Sequence, residues 1–233
     1  MDQQGICVDF HSHILPGADH GASSTEESLT ILRAAKAAGI TAIAATPHFY
    51  PHRHHVGQYL ERRDAALARV QQKAMDEGLP KIVPGAEVLL CPGLDGMEGL
   101  ERLCLRGSNV LLLEMPFVVA EHTDEMFETI ERLVLEREFM VYIAHPNRYP
   151  DATIDRVLEL DVRLQLNLED LYHLRERSRI KRWVKEGRVH AVGSDVHHDP
   201  EIYKKIAKVV PLVAPQLDQI NHPLRGALRT DIG

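Results

Sequence analysis

The chain has 233 residues, 44% of them hydrophobic, and a formal net charge of −7. That length suits one large domain of α/β-barrel size, here residues 1–233, and the acidic balance argues against a nucleic-acid surface, which needs clustered Lys and Arg. Three cysteines without a close pair do not make a disulfide framework and point to a reducing, cytoplasmic setting, and neither a secretory leader nor an apolar run long enough for direct membrane insertion is visible.

In chain order, a first strand at about Ile6–Phe10 runs into Asp9-Phe10-His11-Ser12-His13. Alternation with period two puts Asp9, His11 and His13 on one face, two imidazoles with a carboxylate placed to orient a ligand from behind. With 14 His in the chain the pair is weakly specific by itself. A helix is expected over Ser24–Ala38, capped by Ser24 or Thr25, with Glu26 and Glu27 favoured by the dipole in its first turn. Strand two, Thr41–Ala45, delivers Thr46-Pro47-His48, and a loop rich in His and Pro follows through Val56. A long amphipathic helix, Gln58–Glu77, leads to strand three, Lys81–Pro84, which delivers Glu87. After a short helix near Leu100–Leu105, strand four, Asn109–Leu113, delivers Glu114. A helix over Thr123–Arg137 precedes strand five, Met140–Ala144, which delivers His145-Pro146-Asn147-Arg148. Helix Ile154–Leu160, strand six at Arg163–Leu168, helix Leu174–Gly187 and strand seven at Arg188–Val192 follow, the last delivering Asp195 and His197. A helix at Pro200–Val210 and a tail helix after Asn221 end the chain.

Repeated β-α alternation with short connections favours parallel strands with helices outside. No Gly-x-Gly-x-x-Gly loop or P-loop is present, so a barrel is preferred to an open nucleotide-binding sheet. Barrels gather the C-terminal ends of their strands at one rim. Here that rim receives His11, His13, His48, Glu87, Glu114, His145, Asp195 and His197. Unrelated polar residues would not fall in phase on six strands. Imidazoles and carboxylates without thiolate suit manganese, iron or zinc. The candidates exceed one ion's needs, and a cluster of two or three ions would clamp a phosphoryl displacement and make hydroxide available near neutral pH. No cysteine is followed by Arg six positions on, so the thiolate chemistry of cysteine phosphatases is missing.

Six stretches carry a resemblance: Asp9-Phe-His-Ser-His-Ile-Leu-Pro-Gly17, Thr46-Pro-His48, Pro84-Gly-Ala-Glu87, Leu113-Glu-Met-Pro-Phe117, Ala144-His-Pro-Asn-Arg148 and Gly193-Ser-Asp-Val-His197. In this order the sequence resembles the polymerase and histidinol phosphatase (PHP) superfamily, and within it the CpsB/CapC-type bacterial manganese-dependent protein-tyrosine phosphatases of capsule and exopolysaccharide synthesis. The resemblance implies an α/β fold, a distorted (β/α)7 TIM-like barrel of the PHP type, with a trinuclear site of three divalent ions, Mn2+ first and Fe or Zn as alternatives. By the family pattern His11, His13, Glu87 and Asp195 hold one ion, and Glu87, Glu114 and His145 a second. The residue at position 20, with His48 and His197, holds the third. Relatives read Asp-Asp-Gly where this chain reads Asp19-His20-Gly21. His20 is therefore the expected ligand and Asp19 the alternative.

Arg148 is the expected phosphate clamp and catalytic residue, in a loop that Pro146 holds extended. Lys204 could supply a second cation, although Tyr203-Lys204-Lys205 reads most simply as a solvated helix face. His52, Arg53, His54 and His55 read as a substrate lip or a solvated cluster, and Gln165 and Asn167 as rim or structural hydrogen-bond partners. The implied reaction is attack of a metal-bridged hydroxide on phosphotyrosine, with the Tyr-rich tail of a tyrosine kinase of polysaccharide export as partner. Alternatives are a histidinol-phosphate or other small-molecule phosphomonoesterase, a metal-dependent nuclease, and a non-catalytic metal-holding regulatory module.

Overall fold

A computed structural model describes residues 8–118, 122–167, 170 and 174–209. The strands in these residues are β1 (Val8–Ser12), β2 (Ala42–Ala45), β3 (His48–Phe49), β4 (Lys81–Pro84), β5 (Glu87–Leu89), β6 (Val110–Glu114), β7 (Met140–Ala144), β8 (Arg163–Asn167) and β9 (Val189–Gly193). Between them lie helices α1 (Thr25–Ala37), α2 (Val56–Asp76), α3 (Asp124–Leu135), α4 (Asp151–Val157), α5 (Leu174–Lys185) and α6 (Ile202–Val209). The start of the first expected strand and the tail helix after Asn221 lie outside the described residues.

Every strand pairing is parallel, in the orders β1-β2-β4 and β3-β5-β6-β7-β8-β9. The expected second and third strands are each bent in two. Pro47 has no N–H to give the ladder, so β2 stops before it and β3 resumes after it. Neighbours stay joined across the bends: Thr46 N–H donates to the Ser12 carbonyl (2.8 Å), Gly85 N–H to Ala45 (2.9 Å) and Glu87 N–H to Pro47 (3.2 Å). Beyond β9, Asp195 N–H donates to the His11 carbonyl (2.8 Å) and His13 N–H to Val196 (2.9 Å), which returns the last strand to β1. With β2/β3 and β4/β5 each counted once, the ring has seven members and is a distorted barrel.

Two apolar sets hold it. Val8, Phe10, Ala42, Ala44, Leu112, Tyr142, Ala144 and Ala191 fill the interior, with the Phe10 and Tyr142 rings 4.7 Å apart. The alternate positions, including Ile43, Ala45, Leu111, Leu113, Val141, Ile143, Leu164 and Leu166, face the helices. In α1, Ser24 Oγ accepts from Glu27 N–H (3.2 Å) and Leu29, Ile31, Leu32 and Ala35 are buried. Each such Leu or Ile contributes ~1.5–3 kcal/mol. Helix α4 begins at Asp151, three residues before its expected start, because Pro150 already holds the entry conformation at φ −58°.

Candidate metal centre

Strand β1 carries the first correction. Val8 pairs with Ala42 and Asp9 with Ile43, but Ser12 pairs with Ala45, so one extra residue sits between Asp9 and Ser12. A bulge of this kind re-aims the side chains that follow it. Asp9 therefore does not share a face with His11 and His13. Its carboxylate points out toward α6, where Oδ2 accepts from the Tyr203 hydroxyl (2.8 Å). Oδ1 accepts from Ser194 N–H (2.8 Å) and His11 N–H (3.2 Å). Asp9 thus fixes backbone, and the His11 ring is held instead by Gln165, whose Oε1 accepts from Nδ1 at 2.9 Å. Tyr203 is 1% exposed, so the expected solvated face of α6 excludes it.

Past the bulge the strand ends converge. His11 and His13 bring their Nε2 atoms to 3.1 Å. Each lies 3.3 Å from Glu87 Oε2, and 3.5 and 3.3 Å respectively from Asp195 Oδ1. Glu87 also meets His48 Nδ1 (Oε2, 3.0 Å) and His145 Nε2 (Oε1, 2.9 Å). Glu114 stands 3.6 Å from both of those imidazoles. The approach needs Gly193, since a Cβ there would lie 2.8 Å from the His11 Cβ and backbone nitrogen. His145 (φ 34°) and Asp195 (φ 54°) both sit in the left-handed region, a strain of ~1–3 kcal/mol each for residues with a Cβ.

Asp19 and His20 divide the roles left open between them. Asp19 Oδ2 accepts from His13 Nδ1 (2.7 Å) and His48 N–H (2.9 Å), and Oδ1 from Gly21 N–H (2.9 Å), so Asp19 orients a candidate ligand. His20 is exposed at the mouth, its ring stacked 4.8 Å from His48 and 4.7 Å from His197. The remaining His and Pro loop divides too. His54 Nδ1 accepts from Tyr50 N–H (3.1 Å) and is structural, and His52 lines a separate cleft of about 380 Å³ with Pro116 and Met126.

Electrostatics favour a cation at this point. Burial works against the Glu87 and Asp195 carboxylates, yet the charge of His11 and the hydrogen bonds of His13 outweigh it and hold both pKa values below the ordinary range. Burial equally opposes protonated His11 and His13, and the facing carboxylates overcome it and raise both. Glu114 goes the other way, pushed up to about 8 by burial and then by the charge of Glu87. Burial and then His13 lower His197 to about 4, so its ring is neutral. Meanwhile His48 Nδ1, Glu87 Oε2 and His197 Nε2 are buried and lack hydrogen-bond partners. Unpaired buried polar atoms are costly, and clustered imidazole nitrogens and carboxylates are the donors a divalent ion would satisfy.

Three sets of ligating atoms lie within 4.8 Å of one another: His11, His13 and Asp195; His48, Glu87 and Glu114; and His13, His48 and His197. His145 joins through Glu87, whereas His20 belongs to none of the three sets. Arg148 stands beside them with Nη2 2.5 Å from Asp195 Oδ2, which also accepts from Asn167 Nδ2 at 3.0 Å. Its segment is not extended. Pro146–Arg148 forms a 3-10 turn closed by Arg148 N–H to the His145 carbonyl (3.0 Å). An open cavity of about 380 Å³ joins Arg148 to Asp195, His197 and Lys205. Lys204, the expected second cation, instead pairs with Glu201 at 2.6 Å. Tyr149, unmarked by any sequence pattern, accepts from Met115 N–H (3.1 Å) and donates to His145 Nδ1 (3.2 Å).

Residues 7–221 match the family model described as capsular polysaccharide synthesis, CpsB/CapC. The chain belongs to the CpsB/CapC family. This CpsB/CapC chain is 26% identical over 205 residues to the tyrosine-protein phosphatase YwqE of Bacillus subtilis (strain 168), covering 82% of this chain and 77% of the relative. It is 26% identical over 144 residues to CapC of Staphylococcus aureus, with 60% of this chain and 54% of the relative covered. Among solved structures, the work on the metal-dependent tyrosine phosphatases YwqE of Bacillus subtilis and CpsB of Streptococcus pneumoniae superposes with a TM-score of 0.73 at 22% identity, over 92% of this chain and 94% of that one. A TatD-like protein of Archaeoglobus fulgidus superposes at 0.52 and 15% identity, over 96% and 100%. The α/β barrel expected from the strand alternation, of the type the resemblance implies, is thus borne out, and no helix among the described residues is long and apolar enough to cross a membrane.

Proposed function

We propose that this CpsB/CapC chain is a metal-dependent protein-tyrosine phosphatase, acting on phosphotyrosine of a kinase tail in capsule or exopolysaccharide synthesis. The observation that carries the reading is the meeting of buried His48 Nδ1, Glu87 Oε2 and His197 Nε2, packed together without a well-formed hydrogen bond, beside a charged guanidinium. Three divalent ions, Mn2+ first with Fe or Zn as alternatives, are held by His11, His13, Glu87 and Asp195, by Glu87, Glu114 and His145, and by His48 and His197 with His20 outermost. Bound there, they supply an activated water and positive charge for in-line displacement at phosphorus.

The protein's own groups do the rest. Gln165 and Asp19 fix the tautomers of His11 and His13, leaving both Nε2 atoms directed at the centre. Arg148, anchored on Asp195 and open to the cavity on its other side, contacts the phosphoryl oxygens. Lys205 lines the same cavity and adds positive charge at its outer wall. The test is metal content and phosphotyrosine-peptide turnover of the wild type against His11→Ala. About three equivalents of metal and turnover are expected for the wild type, with both reduced in the variant. Full turnover by His11→Ala would refute the assignment.

A further inference from the structure

The segment Met115-Pro116-Phe117 leaves the barrel directly after Glu114 and is held on both sides. Met115 N–H donates to the Tyr149 hydroxyl (3.1 Å) and His122 Nε2 to the Pro116 carbonyl (2.7 Å), while His122 Nδ1 accepts from Thr153 Oγ1 (3.0 Å). Met115 is fully buried, yet the next aromatic side chain on this fixed backbone, Phe117, is 63% exposed. Leaving such a ring in water forgoes the gain of burying it. It is not directed at random. The Phe117 ring lies parallel to the His145 imidazole, 6.3 Å between centroids and 16° between planes, and 6.5 Å from Tyr149. His145 itself reaches Glu87 at 2.9 Å, so Phe117 stands at the edge of the candidate metal centre. Tyr50, also at this rim, is already engaged, with His48 at 5.3 Å, His54 at 5.6 Å and the Arg53 guanidinium at 5.9 Å.

We propose that Phe117 is a specificity-determining residue that selects aromatic leaving groups, the phenyl ring of a tyrosyl phosphate lying against its exposed face. This rests on the phosphatase reading above. In an aryl phosphate the ring is one ester oxygen from phosphorus, so a phosphoryl group bound beside His145 and Glu87 carries its ring to the edge of the centre where Phe117 stands, and pairing there needs ring centroids roughly 4.5–7 Å apart. A serine or threonine phosphate presents no such face and gains nothing from the ring.

Two non-hydrolysable probes, phenylphosphonate and methylphosphonate, separate this contact from phosphate binding. Inhibition constants are measured on the metal-loaded wild type, Phe117→Ala and Phe117→Trp, with metal content and phosphotyrosine-peptide turnover recorded in parallel. Phe117→Ala is expected to weaken phenylphosphonate about threefold to tenfold while methylphosphonate and metal content stay unchanged, and Phe117→Trp to keep tight phenylphosphonate binding. Equal effects on both probes, or none on phenylphosphonate, overturn the assignment of Phe117 while wild-type turnover leaves the phosphatase reading standing. A metal-loaded wild type without phosphotyrosine turnover overturns that reading and the assignment with it.

Discussion

Loading the centre with divalent metal should expel protons, and the hydrogen bonds identify which. His11 Nδ1 donates to Gln165 and His13 Nδ1 to Asp19, so both rings already carry a proton on that side. Their Nε2 atoms face each other at 3.1 Å, a distance suited to one shared proton and not to two opposed lone pairs. A cation ligated by both nitrogens must displace that proton. Glu114 supplies a second, because burial and then the charge of Glu87 raise its pKa to about 8 and keep it mostly protonated at neutral pH. Loading at pH 7 should therefore release about two protons. Each makes affinity climb about tenfold per pH unit, or about 1.4 kcal/mol. Titration calorimetry with Mn2+ in two buffers of different ionisation enthalpy counts them directly, and Glu114→Gln should lower the count to about one. A heat independent of buffer would refute the argument. Stability follows with the same sign. Burial lowers the His11 and His13 pKa values but the facing carboxylates outweigh it, so both end above their unfolded values. The stabilisation they bring is complete below about pH 6.5 and is lost as pH rises through the raised folded values. The metal-free protein should melt progressively lower from neutral toward alkaline pH, and the metal-loaded protein should not.

A Cβ at position 21 would lie 2.2 Å from the His13 carbonyl oxygen and 2.5 Å from its Cβ. Gly21→Ala should cost ~1–3 kcal/mol or more, lowering the melting temperature by about 2–4 °C per kcal/mol, and an unchanged melt would contradict the close packing of Gly21 on His13. Tyr203→Phe removes a donor from the fully buried Asp9 and should cost ~1–3 kcal/mol in denaturant unfolding of the metal-free protein. A variant as stable as wild type would dismiss the Asp9–Tyr203 hydrogen bond as a tie between β1 and α6. For Arg148→Ala, kcat on a phosphotyrosine peptide should fall about 100-fold or more with metal content retained; a change in KM alone would make Arg148 a binding residue only.

Strand ends were legible because ligating residues recur in phase with the β-α repeat, and no accident of composition puts His48, Glu87, Glu114, His145 and Asp195 each at the end of a different strand. What period-two reasoning could not show was the bulge in β1, since an inserted residue leaves the apolar pattern of Val8 and Phe10 intact and only reverses the faces after them. The same slip hid the true partner of His11: Gln165 is distant in sequence and comes within reach only when the ring of strands closes. Tyr203 was misread for a related reason. Flanked by Lys204 and Lys205, it gives no local sign that its hydroxyl must satisfy a buried carboxylate. Pro47, by contrast, was a visible signal that a strand would break there.

The departure from the family at Asp19-His20 follows from where each side chain can spend its hydrogen bonds. Moving Asp19 onto a cation would strip His13 of its ring partner and leave the backbone N–H groups of Gly21 and His48 unsatisfied. Asp19 is therefore bound to its orienting role, and only His20, exposed and held by ring stacking alone, has freedom to swing inward. The outermost ion of the proposed centre would then see His20 with His48 and His197, imidazoles throughout, where the family resemblance implies an acid. Removing one negative charge from the ligand set weakens a hard divalent cation there more than at the Glu87 and Asp195 positions. In the proposed centre the third site would thus be the weakest and most exposed of the three, the last to fill and the first to empty, and it would adjoin the cavity into which Arg148 opens.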